Sequence, residues 1–358
     1  MRALTLTPMV ADSLAVSDVP DPRPGPADLL VDGLAVGVCG TDRELAQGLY
    51  GWAPPRRERL VIGHESLGRV REAPPGSGFT RGDLVVGVVR RPDPEPCGAC
   101  AHGQFDMCRN GRYTERGIKE IDGYASTAWT VETGYAVRLD RGLERVGVLM
   151  EPASVGARAW DQVERIGERA CFAPRTVVVT GAGPIGLLAA LLGVQRGLSV
   201  QRRLDVHVLD QATDGPKPRL VADLGATYHS DGFDDLLTHV QPDIVIEATG
   251  VDSLVLDAIE ATRSYGVVRL TGISNAGRTI AFDASAANRE IVLENDVVFG
   301  SVNANLHHYA LAADALAAAD AHWLARLVTR RVPLEHFAEA FTQEPDDVKV
   351  VLTLDGST

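Results

Sequence analysis

TVVVTGAGPIGLLAALLGV, from Thr176 to Val194, decides how the second half of this chain folds. TVVVT is a short β-branched run; Gly181, Gly183 and Gly186 break it with G-x-G-x-x-G spacing, and an apolar helical segment follows from Pro184 to Gly197. A strand that feeds a tight glycine turn and opens a helix points backbone N–H groups and the positive end of a helix dipole at one spot. That spot suits the pyrophosphate of a dinucleotide. Gly181, Gly183, Pro184, Ile185 and Gly186 are therefore the expected contacts, and motif and context together make a ligand-free glycine turn the poorer explanation.

Working downstream, DVHVLD, DIVIEATG and YGVVRLTG alternate with helical stretches, the rhythm of a doubly wound parallel sheet. DVHVLD ends at Asp210, 29 residues beyond Gly181. A carboxylate there bonds both ribose hydroxyls of NAD and repels the 2′-phosphate of NADP. The segment GLSVQRRL lengthens the connection, and its Arg202 and Arg203 lie close enough in sequence to fold back. NAD is the expected preference, with NADP as the other possibility. Thr249 in EATG, Gly272 in LTG and Asn303 in SVN end later strands on the same edge and complete the expected cofactor contacts.

Upstream, Met1 to about Met150 reads as short β-type runs broken by Pro and Gly, an antiparallel, barrel-like domain. After DVVFGSV come an Ala-rich helical stretch, Tyr309 to Ala319, and a closing strand, Val348 to Leu354. The last sixty or so residues are expected to return to the first domain. A length of 358 residues matches two domains on the usual prior of roughly 150 each. The net charge of −13, with no basic block, leaves no case for a nucleic-acid partner. The longest apolar stretch, Ile185 to Val194, is about half a bilayer span, so no membrane is expected. MRALTLTPMVADSL reads as a first strand rather than a secretory signal. Five cysteines, three of them between Cys97 and Cys108, fit metal binding in a reducing cytoplasm.

GVCGTD places Cys39, Thr41 and Asp42 after a β-type run, GHE supplies His64 and Glu65, and MEP supplies Glu151. Alone, each is ambiguous, since a single cysteine is often a small buried hydrophobe. Together they offer a thiolate, an imidazole and two carboxylates, donors that suit a catalytic zinc better than a structural one. An alcohol hydroxyl loses its proton too reluctantly to expel hydride at neutral pH, and a metal corrects this. Thr41 is positioned to take that proton in a hydrogen bond. Asp42 is placed to orient an imidazole ligand.

GVCGTDRE, VIGHESLG, the cysteine lobe, MEP and GAGPIG resemble the zinc-containing medium-chain alcohol dehydrogenase superfamily over essentially the whole chain. GTDREL, ERGIKEIDGY, the Glu-Pro of MEP and GSVN resemble its glucose 1-dehydrogenase branch. The resemblance implies an α/β protein with a GroES-like antiparallel β-barrel catalytic domain over residues 1–154 and 304–358. Residues 155–303 would form a Rossmann dinucleotide-binding domain. It also implies Cys39, His64 and Glu65 around a catalytic zinc, with Glu151 as a nearby or alternate ligand. Glu115 and Asn303 would meet the sugar, beside Thr41 and Glu151, and Asn303 the nicotinamide as well. Glu44 stands where many superfamily members carry a relay histidine. Relatives assemble as homodimers or homotetramers through the edge strand, here DVVFGSV.

Cys97, Cys100 and Cys108 keep three of the four cysteines with which related enzymes hold a structural zinc. The missing first cysteine falls at Asp93 or Pro94, and a closed tetrahedral site needs a fourth donor. Asp93, Glu95, His102 and Asp106 are the candidates, Asp93 the preferred one. The implied reaction is hydride transfer from C1 of an aldose, β-D-glucose first, to NAD(P)+, giving the 1,5-lactone. Val89 and Val155 replace polar side chains of some sugar enzymes, which loosens selection among hydroxylated substrates. A polyol, threonine or modified-sugar dehydrogenase is the alternative within the class, and a non-catalytic nucleotide-binding relative the alternative outside it.

Overall fold

The alternation of strand and helix after Thr176 becomes one six-stranded sheet in a computed structural model, which describes residues 1–199, 204–274 and 279–354. In space the strands run Thr227–His229, Asp205–Leu209, Thr176–Thr180, Ile244–Glu247, Val267–Leu270 and Val297–Gly300, every pairing parallel. The first strand in sequence thus has the second on one side and the fourth on the other. Where the order reverses, the carboxyl ends of the strands leave a crevice for ligands. Val177, Val178, Val179, Val245 and Ile246 are all fully buried, because helices cover both faces of such a sheet. Continuous Val/Ile runs, not alternation, are the signature of that environment.

The chain divides into two units, Met1–Ser154 with Asn303–Thr358, and Val155–Val302. Asn303 falls in the first, one residue before the expected return at 304. At the centre of the first unit lies the long strand Asp28–Val38, flanked by Glu65–Glu72 and Lys349–Thr353 and also paired with Ala128–Glu132. Leu29, Val31, Val36, Val85, Trp129 and Leu352 pack into its core.

One expectation needs correction: this sheet is not wholly antiparallel. Val328–Pro333 runs parallel to Lys349–Thr353. The short helical segments Leu334–His336 and Phe337–Phe341 lie between the two strands and carry the chain back to the same end, as a parallel pair requires. The Ala-rich helix spans Leu306–Ala318, starting three residues before the expected Tyr309 because Asn305 caps it, its side chain accepting the N–H groups of His307 and His308. Among the described residues no helix is long and apolar enough to cross a membrane.

Candidate active site

Cys39 follows the central strand Asp28–Val38 and caps the helix Gly40–Ala46, with Asp42 accepting the Cys39 N–H at 2.9 Å. His64 directly precedes the neighbouring strand Glu65–Glu72. Adjacent strands therefore bring together residues 25 apart in sequence: Cys39 Sγ lies 3.2 Å from His64 Nε2. One donor atom from each of Cys39, His64 and Glu65 falls within 4.8 Å of the others. On the far side of the ring, His64 Nδ1 is 3.6 Å from Asp42 Oδ1, both atoms buried and neither hydrogen-bonded. A carboxylate there keeps the proton on Nδ1 and turns Nε2 towards Cys39. Three protein donors of thiolate, imidazole and carboxylate type fit zinc with one position open, the pattern of a catalytic site.

Glu65 is held from behind by a residue the sequence reading passed over. Lys349 Nζ donates to Glu65 Oε1 at 2.7 Å and to Val38 O at 3.3 Å, and both side chains of the ion pair are almost wholly buried. The carboxylate has room because its register partner across the strands is Gly37, where a Cβ would sit 1.9 Å from Glu65 Oε2. A single charged residue inside the apolar strand KVVLT was the signal available in the sequence.

The electrostatics describe a site that wants a cation. Burial pushes the Cys39 thiol up, against the pull of His64. Burial alone would lower His64, yet the charges of Cys39 and Asp42 outweigh it and raise it well above its ordinary value. Glu151, in the first turn of the helix Met150–Gly167, is pushed up to about 7 by burial first, His64 pulling it back and Glu65 repelling it. Glu151 thus lies within electrostatic reach of the group, outside the three donors that converge. A divalent cation would be the largest local charge and would invert these shifts.

Thr41 occupies the first turn of Gly40–Ala46, half-buried. Glu115 and Asn303, 188 residues apart, meet directly: Asn303 Nδ2 donates to Glu115 Oε1 at 2.6 Å. Asn303 adopts a left-handed backbone, φ 67°, a conformation that asparagine tolerates better than most residues. Arg90, also unremarked in the sequence, donates to the same Oε1 through Nε at 3.0 Å and Nη2 at 2.9 Å. The pairing of strands Arg90–Arg91 and Thr114–Arg116 sets Arg90 opposite Glu115. Its guanidinium is further fixed by Asp106 O at 2.8 Å and by the Tyr113 ring, 3.8 Å away. The Arg90 and Asn303 contacts all fall on Oε1 of Glu115.

In the cysteine lobe, Cys97, Cys100 and Cys108 converge to within 4.8 Å, with Cys97 and Cys100 Sγ 3.7 Å apart. Cys97 is lowered to about 6, foremost by the Arg109 N–H, which poises it as a thiolate. Asp93, the preferred fourth ligand, is not among the three converging donors: its carboxylate takes the Glu95 N–H at 2.8 Å and the Arg112 guanidinium at 3.3 Å. Burial opposes its ionisation, but these donors hold it below the ordinary carboxylate range. Asp-x-Glu forms a local turn that competes for the side chain. Of the other candidates, His102 Nδ1 pairs with Gly98 O, Glu95 with Arg112 and Asp106 with Asn305; among the described residues the donor group is the three thiols.

In the second unit, Gly181 follows the strand Thr176–Thr180 with φ 92°, which favours glycine. A Cβ on Gly186 would lie 1.8 Å from Gly181 O, whereas one on Gly183 would meet open space, leaving that face of the turn clear. Pro184 and Ile185 open the helix Pro184–Ser199. Asp210 is tied to the turn, its Oδ2 accepting Ala182 N–H at 2.8 Å, and Lys217 Nζ lies 3.1 Å from both its oxygens. Thr249 and Gly272 follow the carboxyl ends of Ile244–Glu247 and Val267–Leu270, where Glu247 Oε1 gathers the Thr249 and Gly250 N–H groups. Arg202 and Arg203 lie outside the described residues.

The alcohol dehydrogenase GroES-like domain model matches residues 25–141, and the glucose dehydrogenase C-terminus model matches residues 144–354. A glucose 1-dehydrogenase of Methanocella arvoryzae is 39% identical over 99% of this chain and 99% of its own. One of Thermoproteus tenax is 38% identical over 98% and 99%. Among solved structures, Haloferax mediterranei glucose dehydrogenase in complex with NADP, Zn and gluconolactone superposes with a TM-score of 0.90 at 30% identity over 100% of both chains. The chain belongs to the glucose 1-dehydrogenase family of zinc-containing, medium-chain alcohol dehydrogenases.

Proposed function

We propose that this protein is a zinc-dependent aldose dehydrogenase that moves hydride from C1 of β-D-glucose to NAD(P)+, releasing the 1,5-lactone, with NAD preferred and NADP accepted. The observation that carries the reading is the convergence of Cys39, His64 and Glu65, a donor set for zinc, in a chain whose relatives bear the glucose 1-dehydrogenase name. Held by these residues, with Glu151 as nearby or alternate ligand, zinc would supply Lewis acidity that lowers the pKa of a C1 hydroxyl.

The chain's own residues do the rest. Thr41 would accept the C1 hydroxyl's proton in a hydrogen bond while its own hydroxyl proton passes to the cofactor ribose or water, so that C1 becomes a carbonyl as its hydrogen leaves with the bonding pair for the nicotinamide. Lys349 neutralises Glu65 so that the donor set carries less surplus negative charge. Glu115, fixed on Oε1 by Arg90 and Asn303, offers Oε2 to one sugar hydroxyl. Gly181, Gly183 and Gly186 receive the pyrophosphate, and Asp210 the adenosine ribose.

Cys97, Cys100 and Cys108 would hold a structural zinc, the Asp93 carboxylate being engaged by Glu95 and Arg112 rather than counted among the converging donors. Five unpaired cysteines support a reducing, cytoplasmic setting. Val297–Gly300, an edge strand, supports pairing into a homodimer or homotetramer. A matrix of glucose, galactose, xylose, a polyol and threonine against both cofactors tests the reading. Aldoses should give NAD(P)H fastest, and turnover of the polyol or threonine alone would transfer the chain to another substrate class.

A further inference from the structure

We propose that Lys217 selects the cofactor, its ammonium meeting the 2′-phosphate of NADP so that Asp210 does not exclude that dinucleotide. This rests on the reading of the second unit as a nicotinamide-dinucleotide site.

A bare carboxylate at the end of the second strand repels a 2′-phosphate. Asp210 is not bare. Its Oδ2 takes the Ala182 N–H at 2.8 Å, its Oδ1 the Ala212 N–H at 3.1 Å, and Lys217 Nζ sits 3.1 Å from each oxygen. A carboxylate has about four acceptor positions, and these contacts fill them. Ribose hydroxyls reach Asp210 only when Lys217 Nζ gives way. The backbone around the pair is held: Tyr228 Oη donates to Ala212 O at 2.5 Å, and Lys217 lies in the first turn of the helix Pro216–Leu224. What moves is the flexible four-carbon lysine stem.

A displaced ammonium has one favourable place to go beside a ribose that carries a 2′-phosphate. The two residues that follow Asp210, Gln211 and Ala212, carry no charge. The helix start is a poor substitute, because Pro216 and Pro218 lack the N–H groups that normally bind a phosphate there. With NAD the ammonium yields its acceptor positions on Asp210 to the ribose diol and turns to solvent; with NADP it turns to the phosphate and pairs with it. The ion pair works as a two-way selector, its charges placed 3.1 Å apart.

The experiment compares wild type, Lys217→Met, Lys217→Arg and the double variant Arg202→Ala/Arg203→Ala. It reads kcat/KM for NAD and NADP with glucose, and, without turnover, calorimetric affinity for ADP and 2′,5′-ADP. Lys217→Met should lose about tenfold or more in NADP kcat/KM and in 2′,5′-ADP affinity, the scale of one charge-assisted hydrogen bond. NAD and ADP should change by less than about threefold, and Lys217→Arg should keep most NADP use. Equal losses for both cofactors, no loss, or a loss that appears only in the double variant would each overturn the assignment. If wild type bound ADP normally, such a failure would be that of Lys217 alone. Failure of wild type to bind either nucleotide would overturn the dinucleotide reading and this inference with it.

Discussion

Lys349 and Gly37 show how much of this site depends on residues that never touch a substrate. Replacing Lys349 with Met strands the Glu65 carboxylate in a buried position, and removing one partner of such a pair costs about 3–5 kcal/mol. Urea unfolding should report that loss, and an unchanged midpoint would show that Glu65 is neutralised otherwise. Gly37→Ala drives a methyl group into the same carboxylate and should weaken zinc retention as well as stability, read by metal analysis after dialysis. Thr41→Val, which removes the proton acceptor and little else, should lower kcat about 100-fold with Thr41→Ser largely active. Cys39, His64 and Glu65 were legible because their types carry metal chemistry in short motifs. Lys349 showed only as a charge in an apolar strand, and its pairing with a residue 284 positions away leaves no local pattern. Arg90 escaped for the same reason: only the strand pairing puts it opposite Glu115.

At the scale of elements, the glycine turn and the parallel strands could be read directly, because buried parallel strands and a strand–turn–helix unit impose their own composition. Strand direction in the first unit could not. Periodicity says which face is buried and nothing about whether Val328–Pro333 meets its neighbour parallel or antiparallel. In the cysteine lobe the spacing picks out three thiols that do converge, while a local turn engages the carboxylate of Asp93. Asp93→Asn should therefore leave bound zinc at the wild-type level. Cys100→Ser should remove the lobe's share, and plasma mass spectrometry of both variants distinguishes the two results.

Across the whole molecule, the division places the Cys39, His64 and Glu65 donors and the Glu115–Asn303 pair in one unit and the dinucleotide turn in the other. The proposed reaction draws on both. Exhaustive chelation should abolish turnover while leaving ADP binding intact, and added zinc should restore turnover. The central claim is that C1 of an aldose gives its hydrogen, with the bonding electrons, to the nicotinamide. Incubating zinc-loaded protein with [1-²H]-β-D-glucose and NAD+ and examining the NADH by mass spectrometry tests it most directly. Deuterium in the NADH, absent when [2-²H]glucose is used, is the predicted result; unlabelled NADH, or no NADH at all, would contradict it.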